Sequence, residues 1–376
     1  MVARGVAVLV IVLAMQVSAP AVRPAFWDLG DVPGRDGSNE ALGVSADGSV
    51  VVGRTVRGGG SSYPFIWTEA AGMTVLASPG GNNIGEANAI SDDGTVVVGF
   101  CDFEPFRWTA QTGMVYLGSL PGGLDSGKAY GMSADGTVVV GSSRIDWDYY
   151  RAFYWTQATD MVDLGAPAAD QHSFAYAASA DGAVIVGQHG SNLAGYGAFR
   201  WTAGTGRVDL GHLDDDSIYT AAMDVSADGT VVVGQSWGGL GQEAFRWTQA
   251  GGMIPLGDFP GGAYFSHAKA VSANGEVVVG RSADESSGAP FLWDSVNGLR
   301  DLTDILTDAG VDLSDWDLLS AEAISGDSYE TGYFIAGSAF NTDGTQKAFL
   351  ALVPEPATLM LLSVGAVAAL GRRRKR

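Results

Sequence analysis

A unit of roughly 46 residues recurs along almost the whole chain, and this repeat limits the possible folds more than any other feature. One half reads Ala-x-x-Val-Ser-Ala-Asp-Gly-Thr-Val-Val-Val-Gly, and the other reads Ala-Phe-x-Trp-Thr and then Gly-Met-x-x-Leu-Gly. The serine of the first half recurs at Ser45, Ser91, Ser133, Ser179, Ser226, Ser272 and Ser325. A period of this length built from short strands is typical of radial or solenoid β architectures. Because one unit cannot bury its apolar faces alone, the repeats predict one large domain.

Four strands can be assigned within the repeat that covers residues 222–257. Asp228 and Gly229 form the Asp-Gly pair that favours a tight hairpin turn between the first two strands. The β-branched run after this turn predicts a strand that is covered on both faces. In the third strand, Phe245 and Trp247 fall on one face because side chains alternate with a period of two. The unit is therefore predicted to be an antiparallel meander of strands at 222–226, 230–234, 244–248 and 253–257.

The two ends of the repeat region complete one another. The last third strand, at 347–351, has no fourth strand after it, whereas residues 26–34 match the fourth-strand segments 253–261 and 115–122. An offset of this kind joins the ends of a closed propeller and hides its sheet edges. We therefore predict an all-β fold: a seven-bladed β-propeller of four-stranded antiparallel blades over residues 22–352, closed by an N-terminal strand in the last blade.

The N-terminal residues have the layout of a secretory signal peptide. Arg4 supplies an early positive charge, an apolar run covers residues 6–17, and Ala19-Pro20-Ala21 has the small residues of a cleavage site. The apolar run is shorter than the roughly 20 residues that a membrane span needs. We therefore predict a signal peptide over residues 1–21 and export across the inner membrane.

The C-terminal residues contain a second targeting pattern. Pro354, Glu355 and Pro356 precede an apolar stretch at 357–370. Five cations follow: Arg372, Arg373, Arg374, Lys375 and Arg376. Such cations stay in the cytoplasm, and so short an apolar stretch suits a transient anchor in the inner membrane. The pattern resembles the PEP-CTERM sorting signal, with a tail over residues 353–376. The resemblance implies an exosortase partner, a membrane-embedded protease/transpeptidase of Gram-negative bacteria that also make exopolysaccharide.

The repeats resemble the extracellular HAF family, whose units carry His-Ala-Phe-x-Trp, Asp-Leu-Gly and Val-x-Gly. The matching segments include residues 198–201 with 209–211 and residues 152–155 with 163–165. The histidine that names the family is absent, and Arg151, Gly197 and Glu243 replace it. The resemblance covers about residues 26–351 and carries over only the scaffold, since the family has no general assigned activity.

The charge of the chain argues against one class of partner. It has 42 acidic and 21 basic residues, which gives a formal net charge of −21. Nucleic acids are bound through patches of lysine and arginine, so we predict no nucleic-acid partner. An acidic surface suits cations or neutral glycans better. The single cysteine, Cys101, is interpreted as a small buried hydrophobic residue.

The sequence predicts no catalytic residue and no metal site. The four histidines do not have the spacing of zinc ligands on one element. The Ser-Ala-Asp-Gly motifs favour a turn over a calcium loop, because valine stands where a further ligand oxygen is required. At the axial mouth, the first strands carry a mixed set: Leu42, Asn88, Tyr130, Tyr176, Met223, Lys269 and Glu322. No cofactor is predicted, and calcium at the acidic loops is left open.

The loops predict one face for ligand binding. The connections between strands two and three, and those between successive repeats, are long and lie on the same side of a meander. Aromatic and acidic residues are concentrated there: Asp146, Trp147, Asp148, Tyr149, Asp214, Asp215, Asp216, Trp237, Tyr264, His267 and Trp316. Such a set suits glycan or cation recognition. The alternative is a solvated acidic face with ordinary loop aromatics. The side with the tight turns is expected to offer no comparable concavity.

Two classes of function follow. The first is an exported, exosortase-sorted propeller of the cell surface or extracellular matrix, which acts as a non-enzymatic binding or structural module with polysaccharide as its ligand. The second is a secreted enzyme on the same fold, either a glycan lyase or a calcium-dependent phosphoesterase. A catalytic propeller would bring titratable groups together at the axial mouth, which the mixed set above does not favour.

Overall fold

The computed structural model describes residues 24–354, apart from 35–36, 58–59, 166–170, 192–194, 215–216, 240, 262–263, 284–287 and 326–331. The predicted signal peptide lies outside the described residues, as do Glu355, Pro356 and the five tail cations. Regular structure in the described part consists of 28 strands and one short helix.

The strands follow the repeat. First strands are β2 (Gly37–Val44), β6 (Gly85–Ile90), β10 (Gly127–Met132), β14 (His172–Ala178), β18 (Tyr219–Val225), β22 (Ser266–Val271) and β26 (Trp316–Ile324). Second strands are β3 (Val50–Arg57), β7 (Val96–Cys101), β11 (Val139–Arg144), β15 (Val184–Ser191), β19 (Val231–Gly238), β23 (Val277–Ala283) and β27 (Tyr333–Asn341). Third strands are β4 (Ser62–Thr68), β8 (Glu104–Thr109), β12 (Tyr150–Thr156), β16 (Gly195–Thr202), β20 (Gly241–Thr248), β24 (Gly288–Asp294) and β28 (Gln346–Val353). Fourth strands are β5 (Gly72–Val75), β9 (Gly113–Tyr116), β13 (Asp160–Asp163), β17 (Gly206–Asp209), β21 (Gly252–Gly257), β25 (Gly298–Asp301) and β1 (Ala25–Asp28).

The strands of each repeat pair as an antiparallel meander, which confirms the predicted unit. Five sheets have four strands, and a sixth has eight. The eight-stranded sheet joins the meanders β14–β17 and β18–β21 through one parallel pair, Tyr196 with Tyr219. The first strands contact one another in chain order, and β26 also contacts β2. The result is an all-β, β-propeller-like arrangement.

The N-terminal strand lies in the sheet of the C-terminal strands. β1 pairs antiparallel with β28, so that Phe26 lies opposite Ala351. The Phe26 ring also packs on Phe349, with 5.3 Å between ring centroids. Leu29 and Val32, which follow β1, are buried in a cluster shared with the first sheet. This is the pairing expected from the fourth-strand match at residues 26–34.

A close approach of two strands explains the glycine that ends each Val-Val-Val-Gly run. At Gly234 an added Cβ would lie 1.9 Å from the carbonyl oxygen of Ala221 on the neighbouring first strand. The pairing register shifts at this point, between Ala222 and Asp224, so the first strand bulges toward the second. Any larger residue would collide with the backbone, which is why the repeat keeps glycine there.

The phenylalanine and tryptophan side chains of the third strands pack into the hydrophobic clusters of the repeats. The phenylalanine of Ala-Phe-x-Trp is fully buried in every repeat: Phe65, Phe106, Phe153, Phe199, Phe245, Phe291 and Phe349. The tryptophan two residues later is buried or half-buried against the same clusters, as Trp247 is. Cys101 is also fully buried, which confirms its interpretation as a core residue.

The Ser-Ala-Asp-Gly segments are turns, as predicted. In the fifth repeat, the Ser226 hydroxyl donates to Asp228 Oδ1 at 2.7 Å, and the Thr230 N–H donates to the same oxygen at 3.0 Å. These hydrogen bonds lower the pKa of Asp228, and the bond from Ser226 has the largest effect. Gly229 has φ +72°, which glycine adopts at little cost. The carboxylate oxygens are therefore used to hold the turn.

The one described helix, α1 (Leu302–Asp308), lies in an insertion before β26. Asp301 caps its N-terminus by accepting a hydrogen bond from Thr303 N, and Leu302, Ile305 and Leu306 are buried.

Candidate functional site

The loop between β11 and β12 carries four of the predicted ligand-face residues. Trp147 is 77% exposed, and the Arg144 guanidinium lies over its ring, 5.1 Å from the centroid. Asp146 Oδ1 accepts hydrogen bonds of 2.8 Å from the backbone N–H groups of Asp148 and Tyr149. Asp146 therefore shapes the loop that presents Trp147.

Two further predicted aromatics are exposed in other repeats. Trp237, at the end of β19, is 49% exposed, and Tyr264, in the connection to β22, is 58% exposed. The backbone of Tyr264 accepts a hydrogen bond from Gln242 N at 3.1 Å. This bond ties the repeat-to-repeat connection to the start of β20, directly after the β19–β20 connection, so the two loop types lie on the same side, as expected.

Asp214 belongs to a small acidic cavity of about 50 Å³ that Glu243 and Asp258 also line. Burial raises the pKa of Glu243, and the charges of Asp258 and Asp214 raise it further. Asp215 and Asp216, predicted for the same face, lie outside the described residues.

Three predicted ligand-face residues lie on strands and not on loops, namely Trp237 in β19, His267 and Trp316. Trp316 begins β26, and its ring packs 5.4 Å from that of Phe26 against the core cluster of the last sheet. His267 lies within β22, where burial first, and then the charges of Lys269 and Arg281, lower its pKa to about 3. Strands β22 and β26 begin earlier than the repeat motif indicates, so the connections before them are shorter than predicted.

A band of aromatic side chains, which we call the aromatic stripe, crosses three neighbouring repeats on the long-loop side. Its members are Tyr130, Tyr149, Tyr150, His172, Phe174, Tyr176, Tyr196 and Tyr219. All of them are half-buried, so each leaves part of its ring accessible.

The stripe follows one first strand and extends sideways from it. His172, Phe174 and Tyr176 alternate along β14, with ring centroids 6.0 and 6.3 Å apart. Tyr150 stacks on Phe174 at 6.0 Å from one side. On the other side, Tyr196 lies 6.5 Å from the His172 ring. Such offset contacts between aromatic rings are favourable and hold the rings in place.

Trp147 and Trp237 flank the stripe. The Arg144 guanidinium lies 5.1 Å from the Trp147 ring and 5.8 Å from the Tyr150 ring, so it bridges the two. At the far end, Trp237 pairs with Tyr219 across β18 and β19. The stripe therefore connects aromatic loops that the sequence placed on one face without linking them.

Burial raises the pKa of the Tyr130 phenol, and it raises the pKa of the Tyr176 phenol well above its usual value. These hydroxyls act as neutral hydrogen-bond donors and acceptors beside apolar ring faces. The combination suits a neutral polar ligand with a flat apolar side. The sequence signal was the alternation of His172, Phe174 and Tyr176, of which the sequence analysis assigned Tyr176 to the axial mouth without linking it to the other two.

A cavity of about 270 Å³ opens beside Tyr196 and is also lined by Gln171, His189 and Asp209. His189 Nε2 lies 2.8 Å from Asp209 Oδ1. Burial, as the largest cause, lowers the pKa of His189, although the Asp209 carboxylate opposes the shift. The cavity adds polar groups to the end of the stripe.

A further cavity, of about 130 Å³, lies among the ends of the first strands on the tight-turn side. Asp224 lines it and accepts 2.8 Å hydrogen bonds from Val225 N and, in the next repeat, from Val271 N. Other repeats carry glycine or alanine at this position: Gly43, Ala89, Gly131, Ala177, Ala270 and Ala323. Burial raises the pKa of Asp224 to about 7.

The raised pKa of Asp224 predicts a pH-dependent stability. Between about pH 4 and pH 7 the folded state keeps a proton that the unfolded state has released, so stability falls as pH rises through this window. The loss is at most about 4 kcal/mol by linkage. Asp224→Ala should flatten this part of the profile, measured as urea unfolding at pH 4.5, 6.0 and 7.5. Parallel profiles for both proteins would contradict the assignment to Asp224.

The tight-turn side also contains the largest groove described, contrary to expectation. It has a volume of about 850 Å³ and is lined by Arg200, Arg246, Trp247, Glu276 and Trp293, among others. We call it the tight-turn groove. The prediction failed because it considered only loop length. Third-strand side chains of successive repeats form the groove together with residues of the short turns.

No group of three or more histidine, cysteine or acidic residues is placed to hold a metal ion within the part of the chain described. Over the same residues, the structure contains no helix long and apolar enough to cross a membrane.

The family comparison identifies the C-terminal pattern. Residues 352–375 match the PEP-CTERM protein-sorting motif. This is a signal for export and processing at the cell envelope, and it is recognised by an exosortase. No protein with a curated description matches the sequence.

Solved β-propeller structures resemble the chain at low sequence identity. A prolyl endopeptidase is 12% identical with a TM-score of 0.50, over 85% of this chain and 50% of its own. TolB from Acinetobacter baumannii is 14% identical with a TM-score of 0.45, over 83% and 66%. Dipeptidyl peptidase 4 from Porphyromonas gingivalis is 13% identical with a TM-score of 0.47, over 84% and 52%. The chain therefore spans about half the length of the two peptidases, and the likeness concerns the fold alone.

Proposed function

We propose that the protein is an exported, non-enzymatic binding module of the cell surface or extracellular matrix, with polysaccharide as its ligand. The observation that carries this proposal is the aromatic stripe, a continuous set of half-buried rings across two neighbouring sheets. The PEP-CTERM motif at residues 352–375, a signal for export and processing at the cell envelope, supports a role outside the cytoplasm.

The scaffold of the proposal is a closed, seven-bladed propeller of HAF-type repeats. Three observations support it: β1 pairs with β28, β26 contacts β2, and the tight turns are joined by backbone bonds. Ala46 N donates to Asp92 O at 3.0 Å, and Asp92 N donates to Ala134 O at 2.9 Å. The series continues through Ala180 and Ala227. The first six repeats are thereby joined one to the next on that side.

The chemistry of the stripe favours sugars. Aromatic faces stack on the apolar C–H side of a sugar ring, while neutral hydroxyl groups exchange hydrogen bonds with sugar hydroxyls. Tyr150 and Phe174 offer two such faces 6.0 Å apart, and Tyr196 continues the row beyond His172, which lies 6.0 Å from Phe174 and 6.5 Å from Tyr196. Trp147 and Trp237 extend the row of rings at its two ends, so the surface suits a polymer better than a single sugar.

Binding fits the described groups better than catalysis does. General acid–base chemistry needs titratable groups tuned toward the working pH and facing a common point. In the stripe the pKa values of Tyr130 and Tyr176 move away from neutrality, and His189 pairs with Asp209 at one end. If the protein were instead a glycan lyase or a phosphoesterase, its enzymatic activity would persist in variants that lack the rings of the stripe.

Removing rings from the stripe is expected to weaken glycan binding. A glycan array of neutral oligosaccharides, probed with the purified protein, would identify the hexasaccharide that binds most tightly. Tyr150→Ala, Trp147→Ala and Trp237→Ala should each weaken its binding about tenfold, since one stacked ring contributes about 1–1.5 kcal/mol. Phe103, 73% exposed on the loop between β7 and β8, gives the matched control Phe103→Ala. Equal losses in all four variants, or no loss in any of them, would refute the stripe as the binding surface.

A further inference from the structure

The tight-turn groove lies between successive repeats, on the opposite side from the aromatic stripe. Third strands β16, β20 and β24 supply Arg200, Arg246, Trp247 and Trp293 to it, and tight turns supply Gly229 and Gly275. Its volume of about 850 Å³ is within the range of small-molecule sites and large enough for two or three sugar rings.

The repeat sequence explains why two cations meet at this place. The residue between phenylalanine and tryptophan of the third strand is, in chain order, Ile66, Arg107, Tyr154, Arg200, Arg246, Leu292 and Leu350. Arginine occurs there three times, but only the fourth and fifth repeats carry it consecutively. Since neighbouring repeats pack side by side, this pair alone puts two guanidinium groups into one groove.

Neither arginine is neutralised by a carboxylate among the salt bridges of the described residues. Arg200 Nε donates to Gly229 O at 3.3 Å, and Arg246 Nη2 reaches Gly275 O only at 3.5 Å. Arg246 Nε is buried without a hydrogen-bond partner in the protein. Burial lowers the pKa of Arg246, as expected for a cation held away from water without an anion beside it.

This arrangement is unusual for so acidic a chain. The chain has 42 acidic and 21 basic residues, so carboxylates are abundant. The hydrogen bonds of Arg200 and Arg246 nevertheless go to backbone carbonyl oxygens. Glu276 is the acidic residue among those that line the groove, and its Oε2 lies 3.4 Å from Asn274 Nδ2. Guanidinium donors without a carboxylate partner bind carboxylates in a planar, bidentate manner.

We propose that the tight-turn groove binds an acidic sugar, a ring that carries a carboxylate. The two indole rings, Trp247 and Trp293, offer faces for the sugar rings, and the two guanidinium groups offer donors for the carboxylate. The site differs from the aromatic stripe in position and in ligand charge, so it stands or falls independently of the proposed function.

The test uses the full-length protein with trigalacturonate as probe and maltotriose as the neutral comparison of equal length, measured by calorimetry. Trigalacturonate should bind and maltotriose should bind at least tenfold more weakly. Arg246→Gln should weaken trigalacturonate binding about tenfold or more, because a charge-assisted hydrogen bond is lost. Arg246→Lys should recover part of the loss, since it keeps the charge but not the planar donor pair.

Arg107→Gln is the matched control, because Arg107 occupies the same repeat position and donates to Gly136 O at 3.3 Å, but has no arginine in the next repeat. It should leave trigalacturonate binding unchanged. Tyr150→Ala, in the stripe, should also leave it unchanged, which separates the two sites. Thermal unfolding checks that each variant is folded. Equal affinity for the two trisaccharides, no binding of trigalacturonate, or equal losses in Arg246→Gln and Arg107→Gln would each overturn the proposal.

Discussion

Deleting residues 22–34 is expected to lower the free energy of unfolding by on the order of 6 kcal/mol, as estimated from four apolar side chains at about 1.5 kcal/mol each. Phe26 and Trp27 pack on the last sheet, and Leu29 and Val32 are 3% and 7% exposed in the cluster that joins the last sheet to the first. The deletion also exposes the edge of β28, which has no other strand on that side. An open edge favours pairing with other chains, so aggregation should accompany the loss of stability.

Thermal and urea unfolding of the intact and the shortened protein measure this effect. Leu29→Ala tests the same contact with a single side chain and should cost about 2–4 kcal/mol. Val208→Ala is its matched control, because Val208 lies on another fourth strand and is 49% exposed. The control should change stability by no more than about 0.5 kcal/mol. An unchanged melting temperature for the shortened protein would contradict a closed propeller.

The fold could be predicted because the residues that recur in the repeat make contacts that every unit needs. Gly234 is required by the close approach of Ala221, Phe245 by full burial, and Asp228 by the turn that it holds. Each constraint acts within one repeat, so it recurs at a fixed spacing and can be seen in the sequence. The match between residues 26–34 and the fourth strands extended this reasoning to the last sheet.

The candidate sites could not be predicted in the same way, because they depend on positions that vary between repeats. Arg246 is informative only together with Arg200 in the previous repeat, and Phe174 only together with Tyr150. The sequence shows which residues occupy these positions, but not that they meet across neighbouring units. His267 and Trp316 were misplaced for a related reason: the motif marks the end of each first strand but not its beginning.

Asp224 shows a third kind of limit. In the sequence it is one acidic residue among many, and it stands where other repeats have glycine or alanine. Only the packing of the next repeat shows that its carboxyl group is buried and bonded to Val271 N. A single departure from a repeat is therefore a useful signal, even when the repeat itself is purely structural.

Changing Pro354, Glu355 and Pro356 to alanine is expected to abolish maturation in a host that contains an exosortase. The match to the sorting motif covers residues 352–375, which include the Pro-Glu-Pro motif, the apolar stretch and four of the five cations. Without the motif, the cations should still hold the apolar stretch in the inner membrane, because charged groups cross a bilayer at high cost. The full-length, tail-bearing chain should therefore accumulate in the inner membrane.

Two further variants separate recognition from anchoring. Thr358→Ala alters the tail but keeps the motif and the apolar stretch, so it should mature normally. Changing the five cations at residues 372–376 to serine keeps the motif but removes the stop, so some chains should pass through the membrane uncut. Mass spectrometry of the membrane and surface fractions measures each outcome. A mature, tail-less surface form of the alanine variant would show that the motif does not direct processing, and the module would then reach the surface by another route.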